Sequence, residues 1–168
     1  MALSKETLKI GAKLFSQIAT LENRVELARK EVCDHDSFEP LVAFHRIGGC
    51  WDGTINEGHV AQFCNENHIE CSLDDASYLI AQYDESGKGK LNYFEFCCMV
   101  LSATNATLRG MALSRDYLKG VPKSRFLAKS LEHALSMVFE RELEFQKKIN
   151  KLRSKLKRQK DFSKRKLC

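Results

Sequence analysis

The stretch Asp84-Glu85-Ser86-Gly87-Lys88-Gly89-Lys90-Leu91-Asn92-Tyr93-Phe94-Glu95 decides how the rest of the chain is read. A twelve-residue loop that wraps a hard divalent cation needs an acid at position 1, oxygen ligands at 3 and 5, Gly at 6, a backbone carbonyl at 7 and Glu at 12. Asp84, Gly89 and Glu95 stand where that demands, with Ser86, the Lys90 carbonyl and Asn92 as further oxygens. Leu91 is the aliphatic residue through which such a loop pairs with a neighbour. Lys88 departs from the pattern, because an ammonium replaces an oxygen donor and opposes the charge of an ion; it is expected to stand in part for the cation, approaching Asp84 or Glu95. The spacing announces a helix–loop–helix unit, and one of its own residues weakens the ion chemistry.

One such unit cannot cover its own apolar face, so a second is expected nearby. It is found at Gly48-Gly49-Cys50-Trp51-Asp52-Gly53-Thr54-Ile55-Asn56-Glu57-Gly58-His59. Gly53 and Ile55 match the hinge glycine and the pairing aliphatic. Gly48 and His59 replace both required carboxylates, so this loop is expected to be metal-free. Helical periodicity surrounds both loops: Ala43, Phe44 and Ile47, then Val60, Phe63 and Cys64; Ala76, Leu79, Ile80 and Tyr83, then Phe96, Met99 and Val100. Ser72-Leu73-Asp74-Asp75 has capping-box spacing, and Pro40 suits a first helical turn after a cap at Asp36 or Ser37. On these residues, 37–103 resembles the EF-hand pairs of the calmodulin and centrin superfamily. The resemblance implies calcium ligation by Asp84, Ser86, the Lys90 backbone carbonyl, Asn92 and Glu95. With Lys88 present, calcium there is expected to be weak or absent, and no other cofactor is expected.

Composition bounds the remainder. A chain of 168 residues with 43% hydrophobic content supports one small core plus something elongated. No apolar run follows Met1-Ala2-Leu3-Ser4-Lys5-Glu6, so no secretory signal is expected, and no stretch has the length to span a membrane. The cysteines at 33, 50, 64, 71, 97, 98 and 168 form no CxxC pair. Free thiols, partly core, in a reducing intracellular compartment are expected. The net charge of +5 hides an asymmetry. From Lys147 to Cys168 there are eleven Lys/Arg and one acid, Asp161, a net +10 that leaves −5 on the rest.

Outside the pair lie two long helical patterns. From Ser4 to Cys33, the residues Leu14, Ile18, Leu21, Val25, Ala28 and Val32 recur at alternating steps of four and three, a heptad seam. A plainer alternative is an amphipathic helix lying on the body. From Lys129 to Asp161, Leu131, Leu135, Val138, Phe145, Ile149, Leu152 and Leu156 keep the same rhythm, interrupted by Glu142. So long a helix needs a partner or a folded-back neighbour along its far half. Between 104 and 128, a short helix through Leu113 and a break at Gly120-Val121-Pro122 are expected. The fold expected is therefore all-α: a degenerate EF-hand pair (36–103) flanked by an N-terminal helix (1–35), a connector (104–128) and a long basic C-terminal helix and tail (129–168).

No catalytic constellation stands out: GxSxG, a P-loop and HExxH are all absent, so a non-enzyme is expected. Two classes remain, a structural binding protein and a calmodulin-like calcium-sensing adaptor with one weak site. The ligand inventory favours the first. For the partner, the dense cations Lys147, Lys148, Lys151, Arg153, Lys155, Lys157 and Arg158 favour an acidic protein lattice, with tubulin ahead of nucleic acid and anionic membrane. Nucleic acid calls for more interleaved aromatics, and a membrane for bulky apolar anchors on a segregated face. In a blander alternative these charges only solvate a helix. The layout is also similar to that of protist EF-hand proteins of the cilium, through Thr7-Leu8-Lys9-Ile10-Gly11-Ala12-Lys13-Leu14-Phe15, the central pair and Phe139-Glu140-Arg141-Glu142-Leu143-Glu144. That resemblance implies a cytoskeletal role on axonemal doublet microtubules, with other axonemal proteins meeting the helical seams.

Overall fold

The structure, a computed structural model, describes residues 3–48, 53–119 and 126–159. The architecture is all helical: seven helices run through the described residues, and one isolated bridge joins Ile55 to Leu91. Helix α1 (Lys5–Asp34) opens at Ser4, whose hydroxyl accepts the Thr7 amide at 3.1 Å. Then come α2 (Pro40–Ile47), α3 (Glu57–Glu66), α4 (Leu73–Tyr83) and α5 (Tyr93–Val100). They form two helix–loop–helix units. Three of the four starts have a reciprocal local cap of the first-turn amides: Asn56 with His59, Ser72 with Asp75, and Asn92 with Glu95. In the fourth, Pro40 occupies the first turn of α2 and the Leu41 amide is taken by the distant Asp116 carboxylate at 3.1 Å.

The two loops meet back to back. Ile55 and Leu91 exchange amide-to-carbonyl hydrogen bonds of 2.8 Å in both directions, and both side chains are fully buried. Gly53 and Gly89 turn the chain just before this contact at φ +68° and +69°, a left-handed conformation that favours glycine.

Helix α6 (Ala106–Lys119) runs past Leu113, where the sequence pattern left it. Tertiary contacts hold its later turns. Tyr93 donates its hydroxyl to Asp116, and Arg115 donates to the Cys33 carbonyl in the last turn of α1 at 3.0 Å and to the Phe38 carbonyl beyond it at 3.3 Å. The break expected at Gly120-Val121-Pro122 lies outside the described residues.

Helix α7 (Lys129–Lys157) is unbroken over 29 residues, about 44 Å at 1.5 Å per residue. It runs antiparallel to α1. His35 meets Ser130 near one end, Arg24 meets Glu144 at 3.3 Å in the middle, and Leu14, Ile18 and Leu21 meet Ile149, Leu152 and Leu156 towards the other. Its folded-back neighbour is therefore α1. Its first half does more than pair with α1: Leu131, Leu135, Val138, Phe139 and Leu143 are buried in the main core with Ala28, Val32, Phe63 and Phe96. The Phe63 and Phe139 rings sit 5.1 Å apart. Each such side chain contributes about 1.5–3 kcal/mol on burial. Displacing α7 would thus forfeit a sum comparable to a whole domain's net stability of about 5–15 kcal/mol.

Candidate functional site

Loop 84–95 is closed on itself by its own donors. Asp84 accepts the Gly89 amide at 2.6 Å, the Lys88 amide at 3.1 Å and the Ser86 hydroxyl at 2.9 Å. Desolvation opposes ionisation of Asp84, but the Gly89, Ser86, Lys88 and Gly87 donors outweigh it and hold its carboxyl below the usual range. Glu95 is buried, with one oxygen on the Ser86 amide at 3.0 Å and the other on the Asn92 amide at 2.8 Å. The Asn92 side-chain oxygen returns to the Glu95 amide at 2.9 Å. One expectation is corrected here: backbone amides, and not the Lys88 ammonium, neutralise the loop. Among the described residues the ammonium makes no ion pair, because the Lys88 side chain is exposed and only its amide reaches Asp84.

The first loop repeats this closure with different chemistry. His59 takes the place that Glu95 holds, its Nδ1 accepting the Asn56 amide at 3.3 Å while Asn56 caps the His59 amide at 3.0 Å. The imidazole lies against Gly48, where an added Cβ would stand 2.4 Å from His59 Cγ. Gly49, Cys50, Trp51 and Asp52 lie outside the described residues. Among the described residues no group of three or more His, Cys, Asp or Glu gathers in a form that could hold a metal ion.

Behind the second loop lies a buried polar hub. The Arg29 guanidinium of α1 donates to the Met99 carbonyl at 2.8 Å, the Tyr83 hydroxyl at 2.7 Å and the Glu142 carboxylate at 2.7 Å. Tyr83 also donates to Glu142 at 2.6 Å. One side chain thus ties the end of α4 and the end of α5 to both long helices. Burial raises the Glu142 carboxyl although Arg29 and Tyr83 pull it down, and burial beside Glu142 raises the Tyr83 phenol. One turn before Arg29, Glu26 receives the Ser102 hydroxyl at 2.5 Å, the Ala103 and Thr104 amides at 3.0 and 3.1 Å, and the Thr104 hydroxyl at 2.8 Å. Desolvation would raise its carboxyl, but these donors win and lower it to about 2. A second bridge repeats the device at the first unit, where Arg46 of α2 pairs with Glu66 of α3 at 2.8 Å and Glu132 of α7 at 2.5 Å.

Beyond the hub the two long helices leave the body as an arm. From Phe145 to Gln159 there are seven cations and no anion. Lys147, Lys148, Lys151, Arg153, Lys155, Lys157 and Arg158 are all exposed. Lys147 reaches Asp75 at 3.1 Å and Lys148 reaches Glu144 at 2.5 Å. Among the described residues the other five make no ion pair. The remaining cations of the basic segment, from Lys160 onwards, lie outside the described residues. No helix of the described residues is long and apolar enough to cross a membrane. Cys33, Cys64, Cys71 and Cys97 are buried as free thiols, and Cys98 is partly so.

The structure thus gathers Asp84, Ser86, Asn92 and Glu95 into one loop beside Lys90, and the seven cations into one arm. Arg29, Glu26 and Arg46 were not singled out in the sequence. Glu142 left a trace there, as the polar residue that interrupts an apolar rhythm on a helix without another buried charge to explain it. Compared with protein-family models, with curated proteins and with solved structures, the chain finds no match.

Proposed function

We propose that this chain is a non-catalytic structural EF-hand protein whose cationic arm grips an acidic protein lattice, tubulin favoured, in a cytoskeletal assembly such as the ciliary axoneme. The observation that carries the reading is the arm: seven exposed cations, five with no counter-ion among the described residues, on a helix pair whose seam is already filled. Charge is therefore what the α7 face of the arm offers a partner, and a dense array of one sign selects the opposite sign.

The body supports the structural half of the reading. Two helix–loop–helix units joined at Ile55 and Leu91 support reading this region as an EF-hand pair. Calcium takes six to eight oxygens. Loop 84–95 has two carboxylates at coordinating positions, Asp84 and Glu95, both engaged by amides, and an ammonium at the fifth position, so its donor set does not fit a resident calcium ion. A sensor also exposes an apolar groove when it opens. Here α7 of the same chain lies along that apolar surface, bolted by Arg29–Glu142 and Arg46–Glu132. These contacts favour a fixed knob over a calcium-sensing adaptor.

Co-sedimentation of the full chain with microtubules tests the reading. Pelleting should fall steeply as salt rises, since exposed charges are screened beyond about 8 Å at physiological ionic strength. Replacing Lys151, Arg153, Lys155, Lys157 and Arg158 by Gln should weaken it at least about tenfold, which is about 1.4 kcal/mol. Calcium or a chelator should change nothing. Pelleting that survives the five substitutions, or that requires calcium, overturns the proposal.

A further inference from the structure

The outer half of α1 is apolar on two faces, and the arm covers only one. Leu14, Ile18 and Leu21 face α7. Leu8, Ala12, Phe15 and Ala19, at steps of four, three and four, form a second strip roughly a third of a turn round the helix. All four are exposed, Leu8 at 55% and Phe15 at 73%. An isolated exposed leucine needs no explanation, but an aligned series with an aromatic on a regular helix does. The same face continues inward to Glu26, where the chain's own residues Ser102, Ala103 and Thr104 are bound to it. That face of α1 is therefore occupied beside the body and bare along the arm.

We propose that a helix of the partner protein, apolar on one side and acidic along its edges, lies on the Leu8–Ala19 strip and completes a three-helix bundle with α1 and α7. The proposal rests on the acidic-partner reading above and names the element that the partner supplies. Charge complementarity selects the occupant. Lys5 and Lys9 border the strip at i, i+3 from Leu8 and Ala12. A second copy of this chain would bring lysines against lysines, which disfavours self-pairing. The alternation of large Leu8 and Phe15 with small Ala12 and Ala19 fits the ridges and grooves of a packed helix. A lipid surface would instead reward bulky side chains at every position.

The test uses the full chain, a fluorescent helical peptide with leucines on a heptad seam and glutamates at its edges, and the same peptide with glutamines replacing its leucines. The Glu/Leu peptide should bind with an anisotropy change that Leu8→Gln/Phe15→Gln reduces at least about tenfold, with the helical content of the chain unchanged. The Glu/Gln peptide should bind far more weakly. Equal binding by the double variant, or equal binding of the two peptides, overturns the strip as a docking face. So does Phe15-dependent flotation with phosphatidylserine vesicles, or Phe15-dependent dimerisation in sedimentation. If the double variant keeps salt-dependent pelleting with microtubules, the strip fails while the cationic-arm reading stands. If the five Gln substitutions leave pelleting intact, that reading fails instead.

Discussion

The two halves of the α1–α7 hairpin share one heptad rhythm and differ in what surrounds them. In the inner half, Val25 to Cys33 and Leu131 to Leu143 share or border the main core, and three of the charges among them, the buried Glu26 and Glu142 and the nearly buried Arg29, satisfy one another. In the outer half, Leu14, Leu21 and Ile149 are the buried apolar residues among those described, and the charges point outward, five cations having no ion pair among the described residues. Charge inside specifies how elements dock, because a buried ion is tolerated only where its partners stand ready. Charge outside costs little to hold and stays available for binding. The same two helices thus serve as a fastening at one end and as a presenting surface at the other.

Three experiments break or sharpen that contrast. The largest effect is expected at the hub. Arg29→Ala leaves the Glu142 carboxylate buried without its cation and should cost about 3–5 kcal/mol in urea unfolding. The double variant Arg29→Met/Glu142→Leu should recover most of that loss, because it removes both charges and keeps the volume. A single-variant cost below about 1 kcal/mol would make the hub no different from a surface pair.

A smaller effect belongs to Glu26, whose carboxyl is lowered from 4.5 to about 2. A depressed carboxyl stabilises the fold fully above its unfolded value and loses that contribution as pH falls. The loss therefore falls between pH 4.5 and about 2. The contribution at neutral pH is about 3 kcal/mol. Glu142, raised by burial, has the opposite slope, so Glu26→Gln should flatten the acid limb of stability followed by circular dichroism. An unchanged acid limb would show that the Ser102–Thr104 donors do not hold Glu26 ionised. The smallest effect is expected on the arm: replacing Lys151, Lys155 and Lys157 by Gln should move stability by no more than about 0.5 kcal/mol each. A large loss would mean that these cations belong to the fastening rather than to the presenting surface.

Much of the fold was legible because it rests on local rules. Ser72 with Asp75, and Asn92 with Glu95, sit three residues apart, and capping acts at that range. The 4-3 apolar steps of α1 and α7 marked their buried stripes, and Ile55 and Leu91 marked the loop contact. Helix α6 was read short because its last turns are held by Tyr93, Leu41 and the Cys33 carbonyl, which are far off in sequence. Lys88 was expected to counter the loop's carboxylates, but three amides already reach Asp84 and Glu95 at its level. An ammonium on a flexible stem gains more from water than from acceptors already engaged.

The sequence by itself determined most of the helical segments, where the two paired loops turn, and that the cations crowd at one end, since propensity, capping and charge count depend on near neighbours. Only the tertiary structure decided that the first half of α7 lies in the core while its second half extends with α1 as an arm. It alone brought Arg29, Tyr83 and Glu142 together, and it alone left Leu8 and Phe15 bare while Leu14 and Leu21 are covered. Both outcomes depend on which surfaces meet in three dimensions, and a one-dimensional rhythm that is the same along the whole helix carries no record of where its neighbour ends.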